Sequence, residues 1–262
     1  MRRSRQAIVS LVGAGPGDPE LLTLGALRRL EQAEVVVHDA LVSEEILALC
    51  KFDGRRIDAG KRAGRRGPSQ EWINALLVSE ARAGRRVVRL KGGDPFLFGR
   101  GGEEALALTR AGIPWEIVPG VSSALAVPAS AGIPVTHRGL GSSVAIVPGQ
   151  LADGASAMDW AGLNAVQTLV VLMAGSRVAS ISAALVQAGR TASCPVAIVQ
   201  RGTLPSQKTR LSTLGALARN LDRERVDTPA LLVVGEVVRL ANELGGWREA
   251  LLGSDCRDAR TA

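Results

Sequence analysis

The sequence predicts an α/β protein of two domains, and three observations carry that expectation. Short β-branched or apolar runs alternate with segments of helical periodicity along nearly the whole chain, which predicts sheets covered by helices on both faces. The length of 262 residues accommodates two modest domains or one large one. The alternation ends at Val118-Pro119-Gly120 and begins afresh beyond it. The expected division is therefore an N-terminal domain over 7–119, a second over 120–241, and a tail over 242–262 that mixes charges and glycine without periodicity.

Eight runs read as buried strands: Ile8–Val12, Val35–Val37, Val87–Leu90, Trp115–Val118, Val144–Val147, Leu169–Leu172, Val196–Val199 and Leu231–Val234. Helical spacing occupies Leu21–Leu30, Trp72–Ala83, Glu103–Ala111 and Ile181–Ala188, with Gly84, Gly112 and Gly189 placed as stop signals. Ligands of open α/β sheets sit beyond the carboxyl ends of strands. Here those ends carry Gly13–Glu20, His38-Asp39, Lys91-Gly92-Gly93-Asp94-Pro95, Met173-Ala174-Gly175 and Arg201-Gly202-Thr203. Almost every strand end is a glycine turn bearing a polar or charged residue, the pattern of a binding site.

Composition narrows the function. Hydrophobic residues make up 46% and charged residues 22%, ordinary for a globular core. Cys50, Cys194 and Cys256 are too far apart for a disulfide framework or a metal-ligand spacing, which fits a reducing cytoplasm. With only His38 and His137 available, no metal centre is expected. No apolar run approaches the ~20 residues that span a bilayer, and Met1–Arg5 reads as a basic tail before the first strand. The net charge is +7, but the basic residues are dispersed and aromatics reach only 3%, so bases would find few stacking platforms. A small polyanionic substrate explains the excess as well, and no nucleic-acid or membrane partner is expected.

The glycine turns differ in kind. Gly13–Glu20 fails as a dinucleotide fingerprint: Pro16 lacks an N–H, and Pro19 delays the helix until about Pro19 itself, with Asp18 as N-cap and Pro19 at the first helical position. The loop admits close ligand approach without a phosphate nest, although a simple tight turn suits Gly-Pro-Gly too. Asp94 suits a turn cap as well as a ligand contact. In Phe98-Gly99-Arg100-Gly101-Gly102-Glu103-Glu104 an arginine sits on a bare loop with little to pack against, which favours anion binding. Glu103 and Glu104 suit a first helical turn on dipole grounds alone. Asp39, at a strand end, is as readily a turn residue as a base, and Met173 by itself reads as core packing.

Taken in order, several stretches resemble the tetrapyrrole methylase family, and within it the branch that methylates uroporphyrinogen III. They are Val12–Thr23, His38–Ser43, Gly60-Lys61-Arg62, Val88–Phe96, Phe98–Glu104, Val118–Ser122, Ala131–Arg138 and Pro229–Leu240. Residues 7–241 are covered, and the Arg89–Phe96 and Phe98–Glu104 stretches are the specific ones. The resemblance implies two α/β domains with the active site in the cleft between them, a homodimer, and S-adenosylmethionine as methyl donor with S-adenosylhomocysteine as product. It places donor contacts on Pro16, Gly92, Gly93, Asp94, Leu97, Ser122, Ser123, Met173 and Gly202. Acid and base fall on Lys61 and Asp39, and Arg100, Glu103 and Met173 fall where the substrate is contacted, Arg100 with a catalytic part. The implied reaction converts uroporphyrinogen III to precorrin-2 by methylation at C2 and C7, the branch point towards sirohaem, cobalamin and haem d1.

Two departures stand out. The family's Thr-Gly-His after the strand over 144–147 is Pro148-Gly149-Gln150 here, and a tyrosine common beside the methionine is Leu172. Both bear on substrate contacts more than on the methyl donor. A precorrin-specific branch of the same family is disfavoured by Phe98–Glu104, and a non-catalytic tetrapyrrole-binding protein by the retention of Asp39, Lys61, Arg100 and Met173.

Overall fold

A computed structural model describes residues 8–50, 54–60, 67–150, 158–219 and 226–244. The chain divides into two compact units after Ser123. The first holds a five-stranded sheet in the order β3-β2-β4-β1-β5. Its strands are β1 (Val9–Gly13), β2 (Val35–His38), β3 (Arg55–Asp58), β4 (Val87–Lys91) and β5 (Trp115–Val118). All four pairings are parallel, so every carboxyl end lies at one edge. β1 and β4 are buried throughout, as parallel strands covered on both faces should be. Helices α1 (Leu24–Gln32), α2 (Glu44–Ala48), α3 (Gln70–Arg82) and α4 (Gly101–Arg110) follow strands β1 to β4 in turn.

Two hydrophobic layers hold this sheet. One gathers Val12, Leu30, Val36, Ile46 and Leu90. The other gathers Val9, Leu11, Val37, Leu77 and Leu108, the last two from α3 and α4. Thr23, Ser43 and Ser69 start α1, α2 and α3 by accepting a hydrogen bond from the N–H three residues on.

The second unit carries a mixed sheet in the order β6-β7-β10-β8-β9. Its strands are β6 (Val144–Pro148), β7 (Thr168–Leu172), β8 (Pro195–Gln200), β9 (Lys208–Thr213) and β10 (Ala230–Val234). β6 and β7 are parallel, whereas β10 runs antiparallel to both β7 and β8, and β9 antiparallel to β8. The carboxyl ends of β6, β7 and β8 therefore share an edge. Helices α5 (Ser123–Ser130), α6 (Val178–Gln187), α7 (Leu214–Arg219) and α8 (Ala241–Leu244) complete the fold. The core joins Leu169, Val171, Leu185, Ile198, Leu214 and Leu232.

All eight expected strands form, but β3 and β9 were not expected. Both are edge strands whose sequences, Arg-Arg-Ile-Asp and Lys-Thr-Arg-Leu-Ser-Thr, are largely exposed and lack an apolar face. The expected helix start at Pro19 is also corrected. Asp18 does cap there, its Oδ1 accepting the Glu20 N–H at 3.0 Å, but the segment is a short 3-10 turn over Pro19–Leu21. The α-helix begins at Leu24, because Thr23 supplies a second cap. Among the described residues no helix is long and apolar enough to cross a membrane, and no cluster of His, Cys, Asp and Glu is placed to hold a metal ion.

Candidate active site

At the carboxyl edge of the first sheet the loops after β1, β4 and β5 converge. Gly15 N–H donates to the Gly93 carbonyl at 3.2 Å and Gly93 N–H returns the bond to Gly15 at 2.7 Å, which staples the first two loops together. Asp94 fixes the third: its Oδ1 accepts Phe96 N–H at 2.8 Å and its Oδ2 accepts Gly120 N–H at 3.1 Å. Only glycine fits the junction, since a methyl group at Gly13 would lie 2.5 Å from Gly120 Cα and 2.6 Å from the Gly93 carbonyl.

Beside this junction the backbone is bare. Among the described residues, a methyl group at Gly92 would meet only Leu41, at 3.6 Å, and one at Gly93 (φ 66°) only the Ser123 nitrogen, at 3.9 Å. A ligand can thus approach the Gly92-Gly93 backbone closely, which fits the S-adenosylmethionine contacts implied there. A pyrophosphate fits less well. The capped turn that follows the β1 loop already satisfies Glu20 N–H with the Asp18 carboxylate, and that negative charge stands where an anion would have to bind. Pro16 is half-buried in the same loop, and Leu97 and Ser122 are half-buried in theirs.

Asp39, just past β2, is 29% exposed and pairs with the guanidinium of Arg89, which is 2% exposed. Arg89 reaches further through Nε to Glu104 Oε1 at 3.0 Å, and the same oxygen accepts Lys91 Nζ at 3.0 Å and Gln70 Nε2 at 3.3 Å. Two cations and two carboxylates thus form a neutral cluster beneath the loops, with Glu104 fully buried. Burial works against the Arg89 charge, but Asp39 and Glu104 outweigh it and hold its pKa above the ordinary value. Burial and then the Arg89 charge push the Lys91 ammonium below its ordinary value, against the pull of Asp39 and Glu104. Reading Glu104 as a dipole residue alone was therefore incomplete. The pattern that exposes the cluster is strand alternation: Val87, Arg89 and Lys91 share one face of a fully buried strand, so the two charges need buried partners.

Arg100 was expected to lack packing partners. It instead forms a two-pronged pair with Glu103, Nε to Oε1 and Nη2 to Oε2 both at 2.7 Å, with the two side chains 47% and 52% exposed. The hydrogen bonds that Arg100 donates to Glu103 raise its pKa above the ordinary value. Lys61 lies outside the described residues; its neighbour Gly60 donates to Asp58 Oδ1 at 2.8 Å at the end of β3.

The second unit presents its own set at one sheet edge. Met173 follows β7 and is 50% exposed, so it is not core packing. Gly149 N–H donates to the Leu172 carbonyl at 2.6 Å, and the adjoining Gln150, in the histidine's place, is exposed. Gly202 is buried against Val127 of α5, and a methyl group there would collide with it. The turn is held by Gln207, whose Oε1 accepts Thr203 N–H and Ser130 Oγ–H, both at 2.7 Å.

Among the described residues, five non-glycine residues have positive φ: Phe98, Arg100, Met173, Arg201 and Thr203. All follow the carboxyl ends of β4, β7 or β8. Such conformations cost about 1–2 kcal/mol each and cluster where a ligand-binding surface must be shaped.

This geometry finds its relatives in one family. Residues 9–218 match the Tetrapyrrole (Corrin/Porphyrin) Methylases. The chain belongs to the tetrapyrrole methylase family. Among solved members, a uroporphyrin III C-methyl transferase from Thermus thermophilus is 46% identical, with a TM-score of 0.79 over 89% of this chain and 100% of that one. The same enzyme complexed with S-adenyl homocysteine gives 45% identity and a TM-score of 0.78, covering 89% and 94% of the two chains. Among curated relatives, the siroheme synthase of Azotobacter vinelandii is 50% identical over 248 residues, which are 94% of this chain and 53% of that protein. The chain spans about half the length of the curated relatives it matches.

Proposed function

We propose that the protein is an S-adenosylmethionine-dependent C-methyltransferase that converts uroporphyrinogen III to precorrin-2 by methylation at C2 and C7. The carrying observation is the carboxyl edge of the first sheet, where the half-buried Asp39 carboxylate is held by Arg89 at the end of the strand next to the one that leads into the bare Gly92-Gly93 backbone. The solved relative complexed with S-adenyl homocysteine supports the donor, and the uroporphyrin III enzymes support the substrate.

S-adenosylmethionine, when bound, supplies an already activated sulfonium methyl. The residues therefore need mainly to align the carbon nucleophile and exclude water. Pro16, Gly92, Gly93, Asp94, Leu97, Ser122, Ser123, Met173 and Gly202 contact the donor in this reading. Exposed Leu41, Phe96 and Phe98 offer apolar surface to the tetrapyrrole face. Arg100, Glu103 and Met173 contact the substrate, with Arg100 engaging its carboxylates by charge-assisted hydrogen bonds. Carbon methylation leaves an iminium-like ring that must lose a proton; Asp39 accepts it and passes it to solvent before the next transfer, with Lys61 as the second acid–base residue of this reading. A positioned base of this kind contributes about 10²–10⁴-fold. The same resemblance points to a cytoplasmic homodimer, which sedimentation of the purified protein would check.

Calorimetry separates this reading from a nucleotide-binding one. S-adenosylhomocysteine should bind at micromolar affinity or tighter while NAD and ATP give no comparable heat. A dinucleotide that binds as tightly would overturn the reading.

A further inference from the structure

The buried cluster points to one more residue that governs the reaction. Asp39 is partly exposed and follows the last residue of its strand, so its backbone alone does little to fix its carboxylate. Among the described residues its side chain pairs with Arg89, whose guanidinium is held by Glu104 through Nε and by the Val37 and Leu90 carbonyls, each at 3.3 Å, through Nη1. Glu104 is fully buried in the first turns of α4, where the helix N-terminus favours its charge, and Oε1 gathers three donors from α3 and β4. Its Oε2 is buried with no hydrogen-bond partner among the described residues, so this carboxylate is not placed for its own best solvation. A buried ion-pair cluster is poor evidence of stability, because apolar residues of similar volume hold a core as well or better. Its arrangement accounts instead for the aim of one half-exposed carboxylate.

We propose that Glu104 is a positioning residue for the methyl-transfer reaction, acting through Arg89 to set the direction in which Asp39 presents its carboxylate. The inference rests on the methyltransferase reading given above. Glu104 touches neither substrate nor donor; it fixes Arg89, and Arg89 fixes Asp39.

The test uses the full chain with Glu104→Gln, a near-isosteric change that removes the charge. Active sites are counted by S-adenosylhomocysteine titration, and turnover is expressed per counted site with uroporphyrinogen III as substrate. The expected result is a kcat at least tenfold lower per site, with KM and S-adenosylhomocysteine affinity within about threefold. A merely structural role would lower the number of sites and leave turnover per site unchanged, and that result would overturn the proposal. If Glu104→Gln does not fold, the charge-balanced double variant Glu104→Gln with Lys91→Met takes its place under the same criteria, since it leaves the Arg89–Asp39 pair intact. Failure of both to fold would mark the cluster as a folding anchor and likewise contradict the proposal. The wild-type arm tests the underlying reading: an inactive wild type overturns that reading and this inference with it, whereas an active wild type beside a fully active variant overturns the inference alone.

Discussion

Arg100 and Glu103 face each other across the first turn of α4 with both guanidinium-to-carboxylate contacts at 2.7 Å. The pair holds the arginine fork upright on a glycine-flanked loop, while its exposure keeps its worth to stability at about 1 kcal/mol or less. Arg100→Lys keeps the charge and loses the planar fork. Activity should fall at least tenfold with the unfolding midpoint nearly unchanged and S-adenosylhomocysteine affinity within a few-fold. Intact activity would mark Arg100 as an ordinary surface charge.

Asp39→Asn removes the proposed base and keeps its shape. Turnover should drop by about 10²–10⁴. The pairing with Arg89 adds a second consequence: a charged hydrogen-bond acceptor is lost from a buried guanidinium, so urea unfolding should report a loss of about 1–3 kcal/mol. Loss of stability without loss of turnover per folded molecule would make Asp39 structural and move the proton to Glu103 or a water.

Much of this was legible in the sequence, for identifiable reasons. β2, buried at its three valines, and β10, buried along its length, read as apolar runs. β3 and β9 escaped because an edge strand with exposed Arg55, Arg56, Lys208 and Arg210 has no apolar face to display. Asp94 and Gly93 announced themselves through turn chemistry. The partners of the buried Arg89 and Lys91 did not, because Arg89, Lys91 and Gln70 meet Glu104 only after α3 and α4 pack on β4. Gln207, which staples the Gly202 turn to α5, gave no local signal at all.

Asp94→Ala should loosen the loop junction. Phe96 and Gly120 each lose the acceptor of a backbone N–H, about 1–3 kcal/mol where such a group stays unsatisfied. S-adenosylhomocysteine affinity should weaken at least tenfold, as read by calorimetry, because the Gly93 loop and the 120–123 segment are no longer tied together.

Gly202→Ala should act through packing. The new methyl group meets Val127 of α5, and overpacking of this kind costs about 1–3 kcal/mol. Combining it with Val127→Ala should recover most of the lost unfolding free energy, and a failure to do so would show that the collision is not the cause.

Glu116 supplies a pH test of the fold. Its hydrogen bonds from Arg29, at 2.5 and 2.8 Å, and then from Ser10, at 2.7 Å, hold its pKa below the ordinary carboxylate value, against the opposing effect of burial. A depressed folded pKa means that the stabilisation is fully present above the unfolded value of about 4.3 and is lost as pH falls through the folded one. The stability gap between wild type and Glu116→Gln should therefore be constant near neutrality and shrink below about pH 4.3. A gap that stays level down to full protonation would contradict the pairing.

The most direct test of the central claim is mass spectrometry of the tetrapyrrole after incubation of purified protein with S-adenosylmethionine and uroporphyrinogen III. The account predicts a product two methyl groups heavier, formed with S-adenosylhomocysteine and absent when the donor is omitted. Unmodified uroporphyrinogen III beside a protein that still binds S-adenosylhomocysteine would contradict it.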